Sequence, residues 1–184
     1  MFDRAAAVAI IAVVILFQPE LRAALERFGR GRFSTRTGSN PVNEIMSAVR
    51  ELATQKKGSL IAVEQKTPLG EFGKVGTPLD AQVSGSLLQT IFDSKGPLHD
   101  GGVIISGDVI TYAAAVFPLS DKHEGWSIKH GTRHRAALGL AEVTDALVIV
   151  ISEERGTVSI AQSGVLKSDI APADVRIALQ EIYG

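Results

Sequence analysis

The sequence has no cysteine among its 184 residues. This absence excludes disulfide bonds, catalysis by a thiolate and zinc bound through cysteine, so any metal ion must be bound by histidine, aspartate or glutamate. The formal net charge is only −1, and the chain therefore lacks the broad positive surface of nucleic-acid-binding proteins. We expect no nucleic acid among its partners, and a function that needs positive charge must rest on a local cluster.

Long hydrophobic runs are also missing. The longest, residues 5–17, has thirteen apolar residues, whereas a membrane-spanning helix needs about 20. An amphipathic segment rich in arginine follows it. We interpret residues 1–32 as the truncated end of a transmembrane helix with a juxtamembrane amphipathic helix, and a buried helix of a soluble protein is the alternative. A signal peptide is disfavoured because Asp3 and Arg4 balance each other and no cleavage pattern precedes Gln18. The interpretation predicts attachment to the cell membrane, with the remaining chain in the cytoplasm.

The remaining chain fits a single α/β domain. Residues 33–41 are polar and rich in turn-forming residues, so we predict a linker there and the domain at residues 42–184. Hydrophobic residues make up 45% of the sequence, which is ample for one packed core. Apolar periodicity predicts helices at residues 42–57, 87–92, 172–183 and from about 132, and strands at 59–63, 79–83, 103–105, 109–116, 146–151 and 157–161.

Residues 131–135 (GTRHR) concentrate positive charge where a helix begins. Backbone N–H groups at a helix N-terminus lack intrahelical partners, and the helix dipole adds positive potential there. Arginines at this end need a negative partner, because cations are normally favoured at the opposite end. The stretch predicts a phosphate site, with Asp100, Glu153 and Glu154 as candidate partners within the chain. A solvated charged surface is the alternative.

Acidic residues flank two of the predicted strands. His99 and Asp100 precede the strand at 103–105, together with glycines that let a ligand approach the backbone. Glu153 and Glu154 follow the strongly apolar strand at 146–151, at the end where α/β proteins usually place their sites. Carboxylates that bind a divalent cation, combined with arginines that bind phosphate, are typical of phosphoryl or nucleotidyl transfer.

These motifs resemble a known family. Residues 100–102 (DGG) resemble the Asp-Gly-Ala motif, and residues 131–135 the Arg-His-Arg motif, of bacterial diadenylate cyclases, which join two ATP molecules into cyclic di-AMP and release pyrophosphate. Residues 17–22 and 29–33 resemble the junction that follows the last of three transmembrane helices in the membrane-anchored branch. Gly102 departs from the usual alanine, at a position expected to act through its backbone. The resemblance implies one domain of this type, with a mixed central sheet flanked by helices.

The resemblance also implies roles for individual residues. Asp100 would lie beside the ribose 3′-hydroxyl and a Mg²⁺ or Mn²⁺ ion, with His99 and Glu154 as further metal ligands. The implied catalytic residues are Asp100, Arg133, His134 and Arg135. The implied nucleotide-binding residues are Gly101, Gly102, Leu119, Gly131, Thr132, Arg133, His134, Arg135, Ser152 and Glu153.

Ring closure implies a second copy of the chain. Each ATP supplies one hydroxyl and receives one attack, so a single site cannot close the ring, and we expect a face-to-face homodimer. The resemblance further implies regulation by a membrane protein and by a phosphoglucosamine mutase. Two rival functions are a non-catalytic sensor for ATP or a dinucleotide and a metal-dependent phosphohydrolase. The hydrolase is disfavoured because His99 and Asp100 precede a strand instead of lying in a helix.

Overall fold

The structure is a computed structural model that describes residues 40–121 and 131–184. The predicted membrane stub, the amphipathic helix and most of the linker lie outside the described residues, and the predicted domain boundaries stay predictions. Within the two described ranges, no helix is both long enough and apolar enough to span a bilayer.

The described residues form helices and strands close to those predicted. In chain order they are α1 (Pro41–Thr54), β1 (Ser59–Val63), α2 (Gly70–Gly73), β2 (Thr77–Gln82), α3 (Gly85–Ile91), β3 (Gly102–Ser106), β4 (Val109–Ala115), α4 (Thr132–Val143), β5 (Leu147–Ile151), β6 (Val158–Gln162), β7 (Val165–Lys167) and α5 (Pro172–Tyr183). The short helix α2 and the short edge strand β7 were not predicted.

Helix α1 ends at Thr54, earlier than the predicted end at Lys57. The reason is local, because Lys56 adopts a left-handed conformation with φ of 52°. This turn directs the N–H of Lys57 to the carbonyl of Leu52, at 2.9 Å, and the helix stops there.

The strands form one seven-stranded sheet in the order β2-β4-β3-β1-β5-β6-β7. Strands β1 and β3 are parallel and the other neighbouring pairs are antiparallel, so the sheet is mixed, as predicted. Side chains alternate between the two faces of each strand. Ile61 of β1 packs with α1, α3 and α5, whereas Leu60 packs with α4.

Strand directions bring distant parts of the chain to one edge of the sheet. Because β1 is parallel to β3 and antiparallel to β5, the start of β3 lies beside the end of β5. The end of β4 joins them, since β4 runs antiparallel to β3. Residues 99–102 and residues 152–154 therefore lie at the same edge of the sheet.

Candidate active site

A cavity of about 790 Å³ opens at this edge, within the size range of small-molecule sites. Its polar lining comes from the loop before β3, the start of α4 and the end of β5, and its apolar lining comes mainly from the end of β4 and the segment that follows. The described residues that line it are Leu60, Pro97, Asp100, Gly101, Ala114, Ala115, Val116, Phe117, Leu119, Gly131, Thr132, Arg133, His134, Ala136, Ile151, Ser152, Glu153 and Glu154.

The loop before β3 carries Asp100 and Gly101 to the cavity, and the side chain of Asp100 is exposed. Gly101 has a φ of 97°, a backbone conformation that other residues rarely adopt. A Cβ on Gly101 would also lie 2.6 Å from the carbonyl oxygen of Ala115. Glycine at position 101 therefore lets the aspartate loop lie directly against the end of β4.

Gly102 begins β3 and lies behind the cavity, buried and outside its described lining. A Cβ at this position would lie only 2.3 Å from Cε2 of Phe117. The ring of Phe117 thus occupies the space in which an alanine would place its methyl group. The departure from the family's alanine has a steric reason in this chain, and the backbone role expected for Gly102 stays a prediction.

Helix α4 begins at the cavity. Its N-cap is Gly131, and no side chain of residues 40–121 or 131–184 makes a capping hydrogen bond there. Gly131, Thr132 and Arg133 all line the cavity. The N–H groups and the dipole of the first turn favour an anion at this end of the helix. The geometry therefore suits a phosphate group of a ligand.

Arg133 forms an ion pair with Glu153, in which Nη1 lies 2.7 Å from Oε2. An acidic partner for the arginines was expected from the sequence, and Glu153 is one of the three candidates. The side chain of Glu153 is 66% exposed and that of Arg133 is 25% exposed, so solvent weakens their attraction. The Nε of Arg133 is buried and has no hydrogen-bond partner among the described residues. Arg133 thus keeps an unused donor beside the cavity.

The two residues after Arg133 point in other directions. His134 is only 4% exposed, although it contributes to the cavity wall, and its Nε2 lies 3.4 Å from Oγ of Ser159 on β6. Arg135 is absent from the described lining, and its Nε donates to the carbonyl of Ser120 at 3.3 Å. Successive residues of a helix are rotated by about 100°. Three consecutive side chains therefore cannot all face one ligand.

The donors available to a divalent cation are carboxylates. Asp100 and Glu154 line the cavity, whereas His99 lies outside its described lining and donates from Nδ1 to the carbonyl of Gly96 at 2.6 Å. Within residues 40–121 and 131–184, no group of three histidine, aspartate or glutamate side chains is arranged to bind a metal ion. Mg²⁺ is commonly held by one or two carboxylates together with substrate phosphates and water. Asp100 and Glu154 fit such a shared site.

The structure brings most of the predicted site residues together. Ten of the thirteen line the cavity, and the exceptions are His99, Gly102 and Arg135. Sequence reasoning followed charged residues and missed all of the apolar lining except Leu119. A signal was available, because only three residues separate the strands predicted at 103–105 and 109–116. Such a short connection favours a hairpin, in which the end of the second strand lies beside the start of the first. The apolar lining that was missed consists of Leu60, Pro97, Ala114, Ala115, Val116, Phe117, Ala136 and Ile151.

Comparison with known proteins gives consistent matches. The DAC family model, described as DisA bacterial checkpoint controller nucleotide-binding, matches residues 46–166. The chain is 42% identical to "Cyclic di-AMP synthase CdaA" of Bacillus subtilis, over 98% of this chain and 68% of that protein. It is 43% identical to "Diadenylate cyclase" of Listeria monocytogenes, over 94% of this chain and 66% of that protein. The chain thus spans about two thirds of the length of these relatives.

Two solved structures share the fold. The crystal structure of DacA from Staphylococcus aureus, determined as a variant with two introduced cysteines, superposes with a TM-score of 0.75 at 38% identity, over 78% of this chain and 95% of that chain. A hypothetical membrane spanning protein from Bacillus cereus superposes with a TM-score of 0.68 at 32% identity, over 86% of this chain and 80% of that chain.

Proposed function

Because the chain belongs to the DAC family, together with the diadenylate cyclases named above, we propose that its cavity binds ATP and that Asp100 and Arg133 carry the reaction. The relatives confirm the predicted family and enzyme class: the chain is a diadenylate cyclase that makes cyclic di-AMP from ATP. The observation that supports this site best is the convergence of Asp100, the start of α4 and the end of β5 on one cavity.

The triphosphate of ATP lies at the start of α4. Thr132 and Arg133 line the cavity there, beside a helix N-terminus that no described side chain caps. A phosphate competes with Glu153 for the guanidinium of Arg133 and can also use its buried Nε as a donor. The base lies against the apolar lining, of which Phe117 and Leu119 are the largest members on the segment after β4. Ser152, buried at the end of β5, completes the pocket.

The reaction needs a base, because a ribose hydroxyl is a weak nucleophile at neutral pH. Asp100 accepts the proton of the 3′-hydroxyl of one ATP, and that oxygen attacks the α-phosphate of the other. A new P–O bond forms, the bond to pyrophosphate breaks, and Arg133 stabilises the charge on the leaving group. Two such attacks close the ring and release two pyrophosphates.

Asp100 and Glu154 are the residues that would hold a divalent cation. Mg²⁺ or Mn²⁺ bound there would supply charge stabilisation at the α-phosphate and make the hydroxyl more acidic. We leave His99 out of this set because it does not line the described cavity.

Two copies of the chain act together. Each protomer holds one ATP, and the two cavities face each other across a twofold axis so that each hydroxyl reaches the partner's phosphate. The enzyme is attached to the cell membrane through residues 1–32, with its catalytic domain in the cytoplasm, where a membrane protein and a phosphoglucosamine mutase regulate it. The membrane location is supported by the similarity to the B. cereus neighbour, a hypothetical membrane spanning protein, and the remainder of this arrangement rests on the family motifs.

The direct test is a product assay. The chain is incubated with ATP and Mn²⁺, and the products are identified by mass spectrometry. We expect cyclic di-AMP and pyrophosphate, with specific activity falling when the enzyme is diluted below its dimer dissociation constant. ADP or free phosphate as the product would indicate a phosphohydrolase, and bound ATP without any product would indicate a sensor. Activity that stays flat down to monomeric protein would contradict the face-to-face dimer.

A further inference from the structure

The segment at residues 117–120 is hydrogen-bonded to helix α4 at both backbone groups of Ser120. Its N–H donates to the carbonyl of Arg135 at 3.0 Å, and its carbonyl accepts from Nε of Arg135 at 3.3 Å. Its Oγ also donates to Oε1 of Glu142 at 2.9 Å. Ser120 itself is buried. The segment is therefore fixed to the helix, and Arg135 takes part through its main-chain carbonyl and, separately, through its side chain.

Gly139 allows the same segment to approach the helix closely. A Cβ at position 139 would lie 2.1 Å from the carbonyl oxygen of Pro118 and 2.8 Å from the N of Ser120. Positions 135, 139 and 142 follow the i, i+4, i+7 spacing of one helix face. The segment thus docks along a single stripe of α4, with contacts from the first turn to the last.

The docked segment belongs to the apolar part of the cavity. Phe117 and Leu119, on either side of Pro118, both line it. The same helix presents Thr132 and Arg133 at its start. Helix α4 therefore joins the part of the cavity suited to a base with the part suited to phosphates, and Arg135 contacts Ser120 without lining the described cavity.

We propose that Arg135 is a positioning residue: it holds residues 117–120 against α4, so that the nucleotide base meets a fixed apolar surface, and it does not bind phosphate. Gly139 serves the same purpose by leaving room for the backbone of the segment. The inference rests on the proposed binding of ATP in this cavity. It assigns different roles to the two arginines of the motif. Arg133 binds the triphosphate, and Arg135 positions the segment that contacts the base.

The test compares two nucleotides that differ only in the base. We would use 3′-deoxy-ATP and 3′-deoxy-GTP, which lack the reacting hydroxyl, and measure both affinities by calorimetry. Arg135→Ala should weaken binding of 3′-deoxy-ATP about tenfold, as expected for the loss of a hydrogen bond from a charged donor, and should reduce the preference for adenine over guanine. Arg133→Ala should weaken both nucleotides by the same factor. Arg135→Lys, which retains a positively charged hydrogen-bond donor, should recover part of the preference.

A second variant changes the position of the segment while Arg135 is retained. Gly139→Ala should displace Pro118 and Ser120 and reduce the adenine preference in the same way. Arg176→Ala, which removes a similar single hydrogen bond to Asn43, and Gly70→Ala, whose added methyl group meets nothing within 4 Å, are the controls and should change neither affinity.

Several outcomes would overturn the proposal. Equal weakening of both nucleotides by Arg135→Ala would identify a phosphate ligand, and unchanged affinities would show that the docking is dispensable. An unchanged preference for adenine over guanine in Gly139→Ala would show that Arg135 does not act through the position of this segment. If Arg135→Ala fails to fold, the ratio of the affinities for 3′-deoxy-ATP and 3′-deoxy-GTP is measured instead in Arg135→Lys and Gly139→Ala. An unchanged ratio in both variants would overturn the proposal. If the unmodified chain binds 3′-deoxy-ATP but makes no cyclic di-AMP, the proposed reaction fails while the positioning role stands on the binding ratios.

Discussion

The two faces of the sheet are packed with side chains of different size. On the face covered by α1, α3 and α5, two of 23 buried core residues are alanine, whereas on the α4 face seven of 14 are. Small side chains allow a helix to pack close to a sheet, and the first turn of α4 lines the cavity together with the end of β5. We call the face covered by α1, α3 and α5 the aliphatic face, and the face covered by α4 the alanine-rich face. The comparison indicates that the aliphatic face supplies most of the stability, whereas the alanine-rich face shapes the site.

The largest effect on turnover is expected from Asp100→Asn in the cavity. The amide cannot accept the hydroxyl proton, so we expect product formation to fall by about 10²–10⁴-fold, the usual contribution of a general base. Because Asp100 is exposed, the thermal midpoint of unfolding should stay the same. Asp174→Asn, an exposed change on α5, is the control and should leave turnover unchanged. Near-normal turnover in the Asp100 variant would remove this residue from the mechanism.

The next effect compares one substitution on both faces. Leu52→Ala in α1 and Leu140→Ala in α4 each remove a fully buried side chain and should each lower the free energy of unfolding by about 2–5 kcal/mol. Only Leu140→Ala should also raise the KM for ATP, because it disturbs the packing of the helix that begins at the cavity. Urea denaturation and steady-state kinetics on the folded fraction measure the two quantities. An equal rise of KM in both variants would refute the division between the faces.

Local patterns were sufficient to predict the elements that carry the site. Strand β1 was predicted at its observed bounds, because five consecutive residues favourable to a buried strand follow a glycine. The start of α4 was predicted from Gly131, and the pairing of Arg133 with an acidic residue from the unfavourable position of a cation at a helix N-terminus. These signals come from a few adjacent residues, so the sequence alone contains them.

The roles within residues 133–135 depend on contacts between distant residues. Helical rotation separates the three side chains, and only the tertiary structure shows that Arg135 meets Ser120 while His134 meets Ser159. The position of Gly102 against Phe117 is equally non-local, since it follows from the pairing of β3 with β4. The end of α1 differed from the prediction for a local reason, because Lys56 adopts a left-handed backbone conformation. Lysine rarely adopts this conformation, and no sequence pattern predicted it.

A smaller effect should come from the contact between Gly102 and Phe117. Gly102→Ala adds a methyl group where the ring lies and should lower the free energy of unfolding by about 1–3 kcal/mol, the usual cost of overpacking. Phe117→Leu vacates that space, so the double variant should recover much of the loss. A double-mutant cycle measured by urea denaturation gives the coupling. Strict additivity would show that the ring and the methyl group do not compete for one space.

The smallest effect is a change in the free energy of unfolding at high pH, which arises from Tyr183 on the aliphatic face. Burial, together with the negative charge of Asp108, raises the pKa of Tyr183 to about 12, and its hydroxyl donates to the carbonyl of Gly107 at 2.7 Å, joining α5 to the turn between β3 and β4. An unfolded tyrosine titrates near a pKa of about 10, so the folded state favours the neutral form. This stabilisation is complete below pH 10 and is lost as the pH rises toward 12.

Tyr183→Phe lacks this titration, so its free energy of unfolding should approach that of the unmodified chain between pH 10 and pH 12. Urea denaturation across that range measures the difference, and parallel curves would show that Tyr183 does not couple folding to pH. Because Tyr183 packs against the aliphatic core cluster, the variant should also keep its neutral-pH turnover. A loss of turnover without a loss of stability would contradict the division of labour more directly than any other outcome, since it would place a determinant of catalysis on the face assigned to stability.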